Sequence, residues 1–256
     1  MVVPTRVPTE ADFTPLLPSL AVKLSFPSPP ESTTSILLLF HGLGDAETPF
    51  AGFAHSLALP GVLGIAVRGT SPLPPALLGL PDDGSPSRNF HWGDDITVGP
   101  NGDLDPDPGF EKAAGLVMEK LIRGVLVESC GWRLDDLLMF GYGQGGQLAL
   151  GLAARVRGGD DAFKGVVSLG GALPPSMVPS ESGRGKAGTP VLVCHGSESE
   201  AVDEDAIGLL KEEFADARIV QWKRASDGMP ESREEVLPMM EFLAERLNTQ
   251  MPAKWS

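Results

Sequence analysis

Three short segments, each following an apolar run, hold the residue types that could do chemistry. They are His41-Gly42-Leu43-Gly44-Asp45, Gly141-Tyr142-Gly143-Gln144-Gly145-Gly146 and His195-Gly196-Ser197-Glu198-Ser199. The first and third place an imidazole beside a glycine, and histidine is the side chain that exchanges a proton near neutral pH. The second is a turn rich in glycine, whose backbone N–H groups can face an anion or a polarised carbonyl oxygen. Gly141, Gly143 and Gly146 also fit the Gly-x-Gly-x-x-Gly spacing of a dinucleotide fingerprint. That chemistry requires an acidic residue after the next strand. The chain reads Leu169-Gly170-Gly171 there, so a dinucleotide-binding module is the minor alternative.

The elements that must position these segments are legible as alternating strands and helices. Short apolar runs predict strands over 36–40, 61–67, 137–140, 163–169, 190–194 and 218–222, with an edge strand over 20–26. Helices are expected between them. One opens at Thr48-Pro49, with Thr48 as N-cap and Pro49 in the first position. Others cover 111–128, with Ala113, Leu116, Val117, Leu121 and Val125 as an apolar stripe, then 147–156 and 203–214. The last begins at a Ser232-x-x-Glu235 capping box. Such alternation predicts one α/β domain, a mostly parallel sheet with helices on both faces. Residues 1–35 read as a Pro-rich segment, 36–247 as the domain and 248–256 as a tail. Residues 68–108 form a long lid-like loop that carries Phe90, His91 and Trp92. In such sheets ligands sit at the carboxyl ends of the strands, where all three candidate segments fall.

Composition narrows the function classes. The 256 residues carry a formal net charge of −14. An acidic surface repels phosphate backbones and anionic lipid, which argues against nucleic-acid and membrane-surface binding. No apolar run approaches the roughly 20 residues of a membrane span. Cys130 and Cys194 are isolated, the usage of a reducing compartment. The N-terminus has no basic start or unbroken apolar core. A cytoplasmic protein is expected, with a nuclear pool compatible. Asp103, Asp105 and Asp107 suggest a calcium loop, but Pro106 and Pro108 interrupt it and position 114 is alanine. The histidines and cysteines lack metal-ligand spacing. Neither a metal nor a cofactor is expected.

The order of the segments resembles the acyl-protein thioesterase and phospholipase/carboxylesterase family of α/β-hydrolases. Leu-Phe-His-Gly-Leu-Gly-Asp is similar to its oxyanion-hole segment. Gly-Tyr-Gly-Gln-Gly-Gly is similar to its nucleophile elbow, Gly-Phe-Ser-Gln-Gly-Gly. Val-Cys-His-Gly resembles the strand end before its catalytic acid. Trp92 with Asp94 or Asp95 resembles its Trp-x-Asp segment, and Gly228-Met229 the turn before its catalytic histidine. The resemblance spans about residues 36–247 and implies a carboxylic ester or thioester hydrolase.

It also implies that the triad is missing. The nucleophile position falls on Gly143, the acid on Ser199 and the base on Glu231. The chain's 4 histidines are His41, His55, His91 and His195, and none follows His195. Without a base, a hydroxyl or a water is a poor nucleophile at neutral pH. The family's oxyanion donors are backbone N–H groups, which survive side-chain change, and they map to Leu43 and Gln144. Leu43, Gln144, His41 and Trp92 are therefore the expected lining of a ligand pocket. An unconventional base at His41 or His91 is the remaining catalytic route. Two function classes follow. One is a catalytically inactive relative that binds an acyl-type or other small-molecule ligand or a partner protein. The other is a weak or unconventional ester or thioester hydrolase.

Overall fold

The computed structural model describes residues 3–248, except 80, 82–86, 98–103, 158–161 and 181–184. A short helix α1 (Glu10–Phe13) precedes the edge strand β1 (Val22–Ser25). Then come β2 (Ser35–Phe40), α2 (Glu47–Leu57) and β3 (Val62–Val67). The long loop holds β4 (Ser71–Pro72) and β5 (Phe90–His91), followed by α3 (Glu111–Gly115). The rest is β6 (Leu137–Tyr142), α4 (Gln144–Arg155), β7 (Gly165–Leu169), β8 (Val191–His195), α5 (Glu204–Glu213), β9 (Ala217–Gln221) and α6 (Arg233–Leu247).

The main sheet has 7 strands in the order β1-β3-β2-β6-β7-β8-β9. β1 pairs antiparallel with β3, and the other neighbours pair parallel. Parallel strands covered on both faces need apolar residues throughout, and Ser35–Phe40 is buried at every position. Its side chains alternate between two layers. Ile36, Leu38 and Phe40 pack with α4 and the helix after residue 111. Leu37 and Leu39 pack with α2 and α6.

Three local differences from the sequence-based expectations have physical causes. α2 starts at Glu47, with Ala46 as its cap, rather than at Thr48. The Glu47 carboxylate is buried and accepts from Arg68 Nε at 2.8 Å and Nη2 at 2.7 Å. That long-range ion pair draws the helix start back, and Pro49 still lies in the first turn, where no N–H is needed. The helix expected over 111–128 leaves α geometry after Gly115 and continues over Leu116–Ser129 with wider π-type turns. It still buries Val117, Leu121 and Val125. Ser232 caps α6 by accepting from Glu235 N–H at 3.3 Å. The reciprocal half of the capping box is diverted, because the Glu235 carboxylate accepts from Glu231 N–H at 2.8 Å.

The expected lid is pinned down where it is described. β4 and β5 form a small antiparallel ribbon, with Ser71 opposite His91. Phe90 exchanges hydrogen bonds with the loop after β2, donating to Asp45 O at 3.0 Å and accepting from Gly44 N–H at 2.9 Å. Residues 80, 82–86 and 98–103 of this loop lie outside the described set, as does the tail from 249 onward.

Candidate functional site

The loops after β2, β6, β8 and β9 open at the carboxyl ends of parallel strands. Gly143 lies between β6 and α4 with φ +51° and ψ −120°. This left-handed backbone suits glycine, which has no Cβ to clash. Gly143 N–H donates to Leu169 O at 2.9 Å. A Cβ built on Gly143 meets nothing within 4 Å, so the space above the turn is open. The neighbouring glycines serve packing instead. A Cβ on Gly145 would lie 2.2 Å from Phe40 O, and one on Gly146 2.2 Å from Ser168 Oγ. The first turn of α4 thus presses on the end of β2, which brings the elbow against the His41–Asp45 loop.

Leu43 is 39% exposed at that edge. Neither its N–H nor that of Gln144 has an acceptor among the described residues. These are the two donors expected of an oxyanion site. The Gln144 side chain turns away, its Oε1 accepting from Trp92 N–H at 3.1 Å.

His41 and Trp92 do not line an open pocket, which corrects the expectation. Both are fully buried. Trp92 Nε1–H donates to His41 O at 2.8 Å, and its ring sits edge-on to Phe40 with centroids 5.4 Å apart. His41 Nε2 accepts from Gly69 N–H at 2.8 Å, so the ring proton lies on Nδ1 and faces Gly42 O at 2.7 Å. Both nitrogens are occupied, and burial pushes the imidazole below its ordinary pKa. His41 therefore supports the loop from beneath and cannot collect a proton from a hydroxyl.

His91 is the other histidine expected as an unconventional base. It is buried in the β4–β5 ribbon, and desolvation and then the Lys112 charge hold its pKa down. Lys112 Nζ donates to Ser71 Oγ at 3.1 Å, across the ribbon from His91. His195 is buried at the end of β8, its Nδ1 2.8 Å from Gly196 O. His55 lies exposed on α2 and borders a cavity of about 630 Å³ shared with Phe26 and Leu59. Gly143 is not among that cavity's lining residues. Cys194 is buried, its thiol pushed up to about 12 by desolvation, which makes it inert as a nucleophile.

Ser199 and Glu231 stand at the two positions that the resemblance maps to the acid and the base. Ser199 Oγ–H donates to Asp227 Oδ2 at 2.7 Å and accepts from Val202 N–H at 3.0 Å. The other oxygen of Asp227 accepts from Gly196 N–H at 2.8 Å. Glu231 reaches Arg224 Nη1 at 3.2 Å with its side chain 80% exposed. Arg224 also donates to Met229 O at 2.9 Å and lies over the Trp222 ring at 4.5 Å. Asp227 and Arg224 organise this corner and were not singled out from the sequence. Their partners lie in other loops or across a turn, and neither sits in a motif position.

The family can be stated at this point. Residues 24–251 match the phospholipase/carboxylesterase family. The chain belongs to the phospholipase/carboxylesterase family of α/β-hydrolases. An uncharacterised hydrolase of Schizosaccharomyces pombe is 33% identical over 147 residues, 56% of this chain and 55% of that one. The chain thus spans about half the length of this curated relative. Esterase PE8 shares the fold with a TM-score of 0.67 at 18% identity, over 89% of this chain and 99% of that one. The carboxylesterase of Bacillus cereus gives 0.62 at 16% identity, over 93% and 100%. Acyl-protein thioesterase 2 of Zea mays gives 0.59 at 19%, over 89% and 99%. In this phospholipase/carboxylesterase member no helix among the described residues is long and apolar enough to cross a membrane.

Two of the buried imidazoles, His41 and His91, give the fold a pH signature. A histidine whose folded pKa is depressed stabilises the fold fully above its unfolded pKa, ~6.5. That stability is lost as pH falls through the folded pKa, because the unfolded chain takes up the proton more readily. His41 and His91 act in the same sense. Melting temperature is therefore expected to hold above about pH 6.5 and to fall as the solution is acidified below it. His91→Asn should flatten that decline. An unchanged melting temperature between pH 7 and pH 5 would contradict the assignment.

Proposed function

We propose that this family member does not hydrolyse esters and instead binds an acyl-type ligand or a partner protein at the elbow. What carries the reading is Gly143: the strand-to-helix turn keeps its left-handed backbone and its open space but bears no nucleophile. The histidines add support. His41 is hydrogen-bonded through both nitrogens, His91 and His195 are buried, and His55 borders a different cavity. The N–H groups of Leu43 and Gln144, without an acceptor among the described residues, suit a carbonyl or carboxylate oxygen, and exposed Leu43 adds an apolar edge. The same donors, with the family, favour the second reading of a weak carboxylic ester or thioester hydrolase. The acidic net charge and isolated thiols agree with a cytoplasmic setting.

The test is hydrolysis of p-nitrophenyl acyl esters and acyl-CoA thioesters by the purified chain. Donors alone leave about 10³–10⁴-fold acceleration over water in a protease stripped of its triad, so only a trace is expected. Turnover within the common enzyme range of ~1–10³ per second would overturn the reading and establish the second one. Gly143→Ser alone should add little, since triad members act as a unit. It should lower stability by about 1–3 kcal/mol through backbone strain. The expected fall in melting temperature is about 2–12 °C.

A further inference from the structure

We propose that Asp227, from the loop after β9, supplies the carboxylate for the triad-acid place whose chain position is held by Ser199. The inference rests on the reading of the site as a hydrolase cleft with an incomplete triad. Ser199 occupies the acid's chain position, but its Oγ lies 2.7 Å from Asp227 Oδ2. A carboxylate therefore stands within one hydrogen bond of where an aspartate side chain at 199 would reach. Its other oxygen is fixed by Gly196 N–H at 2.8 Å, within the same loop as Ser199. Asp227 also lies close to the elbow. A Cβ on Gly170 would come within 2.7 Å of Asp227 Cβ, and Gly170 has φ +61°. The adjoining Leu169 O accepts from Gly143 N–H, and a Cβ on Gly171 would lie 2.4 Å from Gly143 O.

This has a consequence for restoring chemistry. Ser199→Asp would set a second carboxylate against Asp227. Two carboxylates sharing a site repel, and one of them is forced to keep its proton. The acid position is already served, and only the nucleophile and the base are missing. With Gly143→Ser and Glu231→His, Asp227 would accept Nδ1–H of the new imidazole and hold its Nε2 toward the hydroxyl. That hydroxyl would attack an acyl carbon and pass its proton to Nε2. The leaving alcohol would take this proton as the ester C–O bond breaks, and water would then hydrolyse the acyl-serine. Asp227 is a positioning residue in this scheme and touches no reacting atom.

The experiment measures p-nitrophenyl butyrate hydrolysis and its pH profile for defined variants of the full chain. The G143S/E231H variant is expected to exceed G143S by at least about 100-fold, the lower end of general-base catalysis. Adding D227N should remove at least about tenfold of that gain and move the acidic limb of the profile to lower pH, because the imidazole loses its carboxylate. Adding S199D instead should give no further gain. The S199D arm keeps the test decisive if D227N fails to fold by circular dichroism. An inactive G143S/E231H variant overturns the proposal, as does a D227N addition that leaves rate and profile unchanged. A requirement for S199D overturns it too. Turnover by the unmodified chain would instead overturn the reading of the site, so the two failures are distinguishable.

Discussion

Trp92→Ala is expected to cost about 3–5 kcal/mol, the range for removing a fully buried large aromatic side chain. The melting temperature should fall by about 6–20 °C for a domain of this size. The indole is fully buried, packs on Phe40 and His41, and donates to His41 O at 2.8 Å. Its loss leaves a cavity and also leaves a carbonyl without its donor. Trp92→Phe separates these terms. It keeps most of the packing and removes the donor, so it should cost about 1–3 kcal/mol. Thermal unfolding of both variants checks the ordering. Equal stability of Trp92→Ala and the unmodified chain would show that the lid and the loop after β2 are not joined through this residue.

Gly145→Ala is expected to be comparably severe, for the opposite reason. A methyl group there would lie 2.2 Å from Phe40 O and 2.5 Å from His41 O, both backbone atoms that cannot swing aside. Overpacking of a close-packed site costs about 1–3 kcal/mol and sometimes more, and rigid backbone puts this case at the upper end. The melting temperature should fall by about 6–12 °C. Two positions away the balance is reversed. At Gly143 a side chain has room but the backbone resists it; at Gly145 the obstacle is space. If denaturant titration ranks Gly143→Ala as more damaging than Gly145→Ala, the contact between α4 and the end of β2 is wrong.

The alternation of apolar runs with helical stripes was enough to place the parallel sheet. The Gly-x-Gly-x-Gly spacing after Phe140 was enough to place the elbow, because both depend on neighbours in the chain. Residue types also revealed that Gly143, Ser199 and Glu231 cannot make a triad. What escaped depends on contacts between distant segments. Trp92 has the composition of a pocket wall, and only the bond to His41, 51 residues away, makes it a core anchor. His41 has the composition of a base until Gly69 N–H occupies its free nitrogen. The start of α2 moved because Glu47 pairs with Arg68. Asp227 lies 28 residues from the serine it binds.

The left-handed turn at Gly143 also bears on how such a chain changes over generations. A serine there would sit on strained backbone at about 1–3 kcal/mol, so the glycine form starts with a surplus of stability. A lineage at this state can accept other mildly harmful changes that a serine form would reject, because proteins are held only just above a stability threshold. Return to serine would forfeit that surplus at once and bring little turnover until a base also appeared. The step is therefore easy to take and hard to retrace, and under the non-catalytic reading proposed above the glycine acts as a ratchet.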